Sequence, residues 1–469
     1  MPTSQPHLST AVASTSPSGP VSAADRDQAR RFLRRLTIAT GGGMFIDGFV
    51  FASVAAALAG KAMTSQLGIT SVWASLISSS TLIGTFVSGL CIGYLTDRIG
   101  RRWMFTIDLV AFLVFALAMF LVSAPWQLFA IGLFMGVAIG GDYSIGSPLL
   151  AEFAPSVKRG NYLGVLEILW NVGYVVAYLI GYLINTHWPN GWHVILAASA
   201  VPAAICLIIR HGLPESPRWL LSKGRRDEAI TILHTALGES ADLSDFHAEQ
   251  EEATSYRILF DRDYRQRTIF VCTFWICIVL PYFAIVFFQP TVLGDLGLGS
   301  SALLGALFGT CVALVGAVTG WFLVDRVGRR KILIWPMFLC AACLFIVSLD
   351  HSLPAGVAVV SFFGYLFFYG IMSILPGVYP EEVFPTSVRT SGVGLASAAS
   401  RLGAAAGTFL LPLSLHHLGL SWSMIFMGAV SLIGGITSFA WAPETNGQHL
   451  SAAGARTVGP SVRATAGAR

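Results

Sequence analysis

Gly93-Tyr-Leu-Thr-Asp97-Arg98-Ile-Gly100-Arg101-Arg102 returns as Gly320-Trp-Phe-Leu-Val-Asp325-Arg326-Val-Gly328-Arg329-Arg330, each copy lying between two long apolar runs. Two further echoes keep the same interval. Glu152-Phe-Ala-Pro155 with Arg159 returns as Glu382-Val-Phe-Pro385 with Arg389, and Pro214-Glu215-Ser216 returns as Pro443-Glu444-Thr445. Asp97 to Asp325, Glu152 to Glu382 and Glu215 to Glu444 are separated by 228, 230 and 229 residues. Repeats in register over half a chain mean that the fold is a duplication, and parallel membrane repeats place a solute site at their interface, near the bilayer midplane.

Composition agrees. The chain is 54% hydrophobic and 12% charged, with a mean hydropathy of +0.68, too apolar for a water-soluble globule. Apolar windows of the roughly 20 residues that a helix needs to cross hydrocarbon fall near 36–58, 72–95, 103–123, 126–150, 162–185 and 192–210. A second set falls near 268–291, 301–324, 331–349, 354–378, 390–413 and 420–442. The expectation is an all-α membrane protein of twelve transmembrane helices in two six-helix repeats. Its parts are a disordered tail (1–32), a first bundle (33–210), a linker with short helices (211–267), a second bundle (268–445) and a disordered end (446–469).

Basic residues are retained on the cytoplasmic side during insertion. With the N-terminus inside, Arg26, Arg30, Arg31, Arg34, Arg35, Lys158, Arg159, both motif copies, the central linker and Arg389 all fall inside. Only Lys61 falls in an outer loop. The expected location is therefore the cytoplasmic (inner) membrane, multi-pass, with both termini cytoplasmic. The net charge of +4 reflects this bias and calls for no nucleic-acid partner. The seven cysteines sit in apolar windows with no metal-finger spacing and read as packing residues. Residues 1–25 lack the basic start and apolar core of a signal peptide.

The two motif copies, Pro214-Glu-Ser-Pro-Arg-Trp-Leu220, Glu382-Val-Phe-Pro385 and Pro443-Glu-Thr445 resemble the sugar-porter-like branch of the major facilitator superfamily over about 30–445. Gly140-Gly-Asp-Tyr143 followed by Ser147-Pro-Leu-Leu-Ala-Glu152 is similar to the bacterial inner-membrane metabolite transporters and to the phosphate and aromatic-acid proton symporters of the wider group. The resemblance implies that Asp97, Arg101, Glu152, Arg159, Asp325, Arg329, Glu382 and Arg389 form a cytoplasmic charge network that stabilises the outward-facing state; Arg98, Arg102 and Arg326 beside them are further candidates for that network, and Arg98, Arg101 and Arg102 read alternatively as topology anchors. Departures from the sugar-porter pattern point away from a hexose. The fourth-span arginine is Gly132, the first-span acid falls at Val50 with Asp47 three residues earlier, and the seventh span keeps only Gln289 of its amide set.

Ionisable groups inside a span cost roughly 2.5–3.5 kcal/mol on insertion scales and mark a pathway by default. At 1.5 Å per residue, Asp47 lies about 18 Å from the nearest cytoplasmic anchor, Asp142 about 15 Å, Glu167 about 12 Å and Arg401 about 18 Å. All four share the middle of the bilayer, and Arg401 is the one basic residue left deep in a span. Glu167, Asn171, Tyr174 and Tyr178 make one stripe on the fifth span, as do Ser397, Arg401, Ala404 and Thr408 on the eleventh. Tyr365, Tyr369 and Ser373 on the tenth span and Tyr282 on the seventh supply the opposite wall. Three acids facing one base leave two negative charges uncompensated, so at least one acid is expected to carry a proton in some state. Asp47 or Asp142 is the candidate proton carrier, and Arg401 either pairs with it or binds an anionic substrate group. A standing ion pair that only orients helices is the competing reading. Asp108, six residues past Arg102, reads as a structural acid shallow enough to snorkel or to pair with the nearby arginines.

These features read as a secondary transporter of a small polar metabolite, an organic anion or sugar-acid-like solute, moving with protons by alternating access and working as a monomer. A proton-coupled exporter of drugs or metabolites competes with it, as does a solute sensor that does not transport. No nucleophile and base constellation, metal spacing, cofactor motif or phosphate-cradling loop points to an enzyme.

Overall fold

A computed structural model describes residues 23–154, 159–239, 256–262, 264–384 and 388–445. The first half contains α1 (Ala23–Ala59), α2 (Lys61–Leu67), α3 (Ser71–Ile99), α4 (Arg101–Ala118), α5 (Pro125–Phe153), α6 (Arg159–His187), α7 (Trp192–Ala197) and α8 (Ala200–Arg210). Two short helices follow, α9 (Pro217–Ser222) and α10 (Arg226–Leu237). The second half contains α11 (Arg265–Phe287), α12 (Gln289–Leu293), α13 (Ala302–Val327), α14 (Arg329–Val347), α15 (Ala355–Met372), α16 (Tyr379–Val383) and α17 (Arg389–Trp441).

Eleven stretches among the described residues are long and apolar enough to cross a membrane. The last of them, Ser391–Trp441, has 51 residues and at 1.5 Å per residue would run about 76 Å, more than twice the hydrocarbon thickness. It breaks at Gly419, where φ is 80°, so it crosses twice and the total is the expected twelve. The sixth span is interrupted at Ala198 and Ser199. Pro202 is the cause, since its ring nitrogen has no hydrogen for the Ala198 carbonyl. Helix α1 begins at Ala23, inside the stretch expected to be a disordered tail to residue 32. The side chain of Gln28 ties this extension to α10 by donating to the carbonyls of His234 (3.0 Å) and Thr235 (2.7 Å).

Lipid is as apolar as a leucine side chain, so helices in a bilayer associate through close backbone approach rather than hydrophobic exclusion. The chain shows how. A Cβ at Gly48 of α1 would strike the Trp170 carbonyl of α6, and one at Gly173 of α6 would strike the Phe45 carbonyl of α1. Within each half α3 packs on α5 and α13 on α15, while α3 against α17 and α6 against α13 join the halves. Exchanging the halves maps one set of contacts onto the other.

The same duplication governs the face that carries the repeat motifs. Gly100 and Gly328 take φ of 102° and 93°, a region that only glycine enters cheaply, and each turns a span straight into the next. The turn exposes the first amides of α4 and α14. Glu215 accepts from the amides of Arg101 (2.9 Å) and Arg102 (3.1 Å), and Glu444 accepts from the amide of Arg329 (3.0 Å). A carboxylate at a helix N-terminus satisfies otherwise unpaired donors and meets the positive end of the dipole.

The echo of Pro-Glu-Ser as Pro-Glu-Thr is therefore a pair of helix caps. Replacing Glu215 or Glu444 by Gln should cost about 1 kcal/mol at each site, read as a lower apparent melting temperature of purified protein, with the double variant losing the sum.

Candidate functional site

Helices α5, α6, α11, α15 and α17 bring the interior polar residues together between the halves. Tyr143, Glu167 and Arg401 are partly exposed there, whereas Tyr174, Tyr178, Tyr282, Tyr365 and Tyr369 are buried. The Arg401 guanidinium lies 4.7 Å from the centre of the Tyr143 ring, a cation over an aromatic face. Among the described residues no carboxylate forms an ion pair with Arg401. Glu167 faces Gly377, where a Cβ would stand 3.3 Å from its Oε1, and it lies within electrostatic reach of Arg401.

The fifth-span stripe is a stack of rings. Trp170 and Tyr174 are 5.3 Å apart, Tyr174 and Tyr178 5.5 Å. Across the interface Tyr282 and Tyr369 lie face to face at 3.6 Å. Asn171 is buried with its amide donating back to the Glu167 carbonyl at 2.9 Å, so its nitrogen is used within α6. On the side away from the repeat motifs, rings of the two halves meet. Phe51 of α1 meets Phe283 (5.2 Å) and Phe287 (6.0 Å) of α11, and the Tyr178 hydroxyl donates to the Val286 carbonyl at 3.1 Å.

Asp142 does not pair with Arg401. Its Oδ1 is 2.6 Å from Nη2 of Arg210, the last residue of α8, and both side chains are buried. Arg210 is thus a second buried cation, correcting the expectation that Arg401 stood alone. It lies 4.2 Å from the centre of the Phe105 ring and its Nε donates to the Ala39 carbonyl at 3.0 Å. The pair crosses α1 at Gly43, where a Cβ would collide with Asp142 Oδ2 and Arg210 Nη2. One glycine makes room for the bridge.

Asp47 is fully buried, and neither of its carboxylate oxygens has a hydrogen-bond partner. It lies within electrostatic reach of Asp142, Asp108, Arg210 and Arg401. Asp108 is not the snorkelling or arginine-paired acid that its sequence position suggests. It is buried, its oxygens also lack partners, and it faces Gly141. Among the described residues the first half therefore encloses three carboxyl groups and one guanidinium. Buried charges without partners are strongly disfavoured, and such a cluster can hold and pass protons.

On the motif face Asp325, Arg329 and Glu382 meet. Arg329 contacts Asp325 at 3.0 Å and forks onto both oxygens of Glu382 at 3.1 Å. Thr445 donates to Glu382, and the Tyr379 hydroxyl donates to the Pro443 carbonyl. Burial raises the Glu382 carboxyl above its ordinary value, against the pull of Thr445 and Arg329. Arg326 is exposed and outside this knot. Arg98 and Arg102 are exposed, and Arg101 is half-buried. The side chains of Asp97, Glu152, Arg159 and Arg389 lie outside the described residues.

Comparison with known proteins agrees with the fold. A family model described as "Sugar (and other) transporter" matches residues 34–455. The chain is 36% identical over 428 residues to the inner membrane metabolite transport protein YgcS of Escherichia coli (strain K12), covering 90% of this chain and 94% of that protein. It is 35% identical to the putative metabolite transport protein YaaU of the same organism, covering 91% and 95%. A partially occluded inward-open structure of the xylose transporter XylE from E. coli superposes with a TM-score of 0.77 at 20% identity, covering 89% of this chain and all of that one.

Removing one member of a buried ion pair costs about 3–5 kcal/mol, whereas replacing both by apolar side chains is close to neutral. Arg210→Met should therefore lower the apparent melting temperature of the purified protein sharply, and Arg210→Met with Asp142→Leu should recover most of the loss.

Proposed function

The chain belongs to the sugar (and other) transporter family of the major facilitator superfamily, and from that membership in a group of secondary transporters we propose that it carries a small organic anion together with a proton. The observation that carries this reading is the state of the two interior arginines. Arg210 is matched by Asp142, while Arg401 faces the interface of the halves without an acid partner among the described residues. A guanidinium in a wet interior recess offers its fork of donors to a carboxylate from solution.

Proton coupling rests on the acids of the first half. Asp142 and Asp47 are the carriers, with Asp108 as a third carboxyl within reach. A proton arriving on Asp142 neutralises it and releases Nη2 of Arg210, loosening the bridge that ties α5 and α8 across α1. Asp47 stands within reach of that bridge and of Arg401, so the charge on Asp47 links proton occupancy to anion binding. Departure of the proton restores the Asp142–Arg210 bond. Linkage of this kind requires only that proton and anion each favour the same conformations.

In the alternating cycle the Arg329, Glu382, Asp325 and Thr445 knot locks the motif face of the second half and must open when that face admits solute. The rings of Phe51, Phe283 and Phe287 close the far side. The basic residues on the motif face favour a cytoplasmic location for it and for both termini, and on this reading the protein works as a monomer.

Uptake into proteoliposomes tests the reading, using a panel of anionic and neutral metabolites with and without an inward proton gradient. One or more anions should accumulate only with the gradient. Asp142→Asn and Asp47→Asn should each reduce gradient-driven accumulation at least tenfold while sparing part of the solute exchange at equal pH. Arg401→Gln should weaken the apparent affinity for the anion by ten- to a hundredfold. Intact gradient-driven uptake in both Asp variants would sink the coupling scheme, and unchanged affinity in the Arg401 variant would sink the anion site.

A further inference from the structure

On the face away from the repeat motifs, the two halves leave a cleft of about 370 Å³ between them, at the low end of the range for small-molecule sites. Leu58 and Ala59 at the end of α1 and Thr64 of α2 line it from the first half. From the second half, Phe287, Phe288 and Leu415 supply an apolar wall and Asp295 a carboxylate. Phe287 also meets Phe51 in the ring contacts between the halves, so the cleft adjoins the point where this face is closed. None of the interior acids or arginines lines it.

The charge in the cleft has one sign. Asp295 follows α12 in a single π-helical turn, Gly294–Leu298, which bends at Gly297 where φ is 93°. The residue is exposed, and among the described residues it forms no ion pair. A second carboxylate, Asp350, is within electrostatic reach of it, and Asp350 already accepts from the Ser421 hydroxyl at 2.8 Å and lies 3.7 Å from His351. Lys61 is the one lysine or arginine in the connections on this face. His416 also lines the cleft, and a neutral imidazole can accept a hydrogen bond as well as donate one.

We propose that this cleft binds an amphipathic organic amine, separate from the transported solute, and that the bound amine holds the two halves shut on this face. The apolar body lies against Leu58, Leu415 and the phenylalanine rings. The ammonium lies beside Asp295, and aromatic faces favour a cation over an anion. Alternating access moves one half against the other, so opening this face parts the two walls and a ligand touching both keeps its full contact only when the face is closed. A ligand shifts an equilibrium by its differential affinity for the two states. Occupancy therefore opposes opening whatever the cargo, and the inference stands apart from the anion and proton reading.

The test is binding of radiolabelled 4-phenylbutylamine to the full chain in phosphatidylcholine nanodiscs, with binding to empty nanodiscs subtracted. Unlabelled 4-phenylbutan-1-ol and 4-phenylbutyrate serve as competitors that share its body and differ in the charge of the end group. The amine should bind saturably, the alcohol should compete about tenfold more weakly, and the acid should not compete. Asp295→Asn should weaken the amine about tenfold while leaving the alcohol within about twofold. Ala59→Trp, which fills the cleft from the first half, should abolish saturable binding. Hydrogen exchange read by mass spectrometry should slow on both walls when the amine binds, over 58–67 and over 288–296. If the alcohol or the acid matches the amine, or if Asp295→Asn binds it as the unaltered chain does, the cation site is overturned. Slowing confined to one wall overturns the claim that the amine holds the halves together.

Discussion

Charge buried among helices that face lipid is the constraint on which the rest of this molecule turns. In such surroundings a carboxylate or guanidinium persists only beside an opposite charge, with a proton on the acid, or at the edge of a wet recess. Each solution is visible here. Asp142 and Arg210 pair at 2.6 Å. Asp47 and Asp108 have no hydrogen-bond partner and are closed off. Glu167 and Arg401 keep partial exposure at the interface of the halves. The helix arrangement follows from these needs as much as from packing: α8 must end where its last residue can reach α5, and α1 must present Gly43 at the crossing.

The duplication is strict where it is structural and broken where chemistry is expected. Gly100 and Gly328 share a backbone conformation, and Glu215 and Glu444 cap equivalent helices. No such correspondence holds inside. The three interior carboxyl groups of α1, α4 and α5 have no counterpart at the corresponding depth of the second half, which contributes Arg401 and a wall of tyrosines. A symmetrical scaffold lets the halves rock about one axis. On the proposed function the asymmetric filling divides the work, with the proton-carrying acids in the first half and the anion-binding Arg401 in the second.

Much of this could be read before any coordinates. Period and apolar length specify the spans, and the glycines of the repeated motif announce tight turns. The stripe from Glu167 to Tyr178 lies on one face of α6 because helical spacing leaves no other arrangement. Arg210 could not be found in that way, since an arginine at the end of a span is what membrane insertion places there. Its burial depends on how α1 and α4 close over α8, a tertiary fact with no local signature. Asp108 was misread for a related reason. Counting residues from Arg102 gives depth along the helix but says nothing about which neighbour the side chain meets, and it meets Gly141 rather than an arginine. The start of α1 at Ala23 depends likewise on a distant partner, the end of α10 that Gln28 grips.

Helix α1 is the element through which the two sites can communicate. Its Ala39 carbonyl accepts from Arg210, its Gly43 lets the Asp142 bridge pass, and Asp47 one turn further on senses both that bridge and Arg401. Beyond these, Gly48 brings its backbone against α6, and Phe51 reaches α11 to close the far side. The Asp142–Arg210 bridge, Asp47 and the Phe51 ring contacts therefore touch one helix within a span of thirteen residue numbers, 39 to 51. A change of charge at the Arg210 end alters the forces on a helix whose other end forms the seal. Coupling between proton and solute then needs no chain of small rearrangements, only a shift in how this helix sits against α6 and α11.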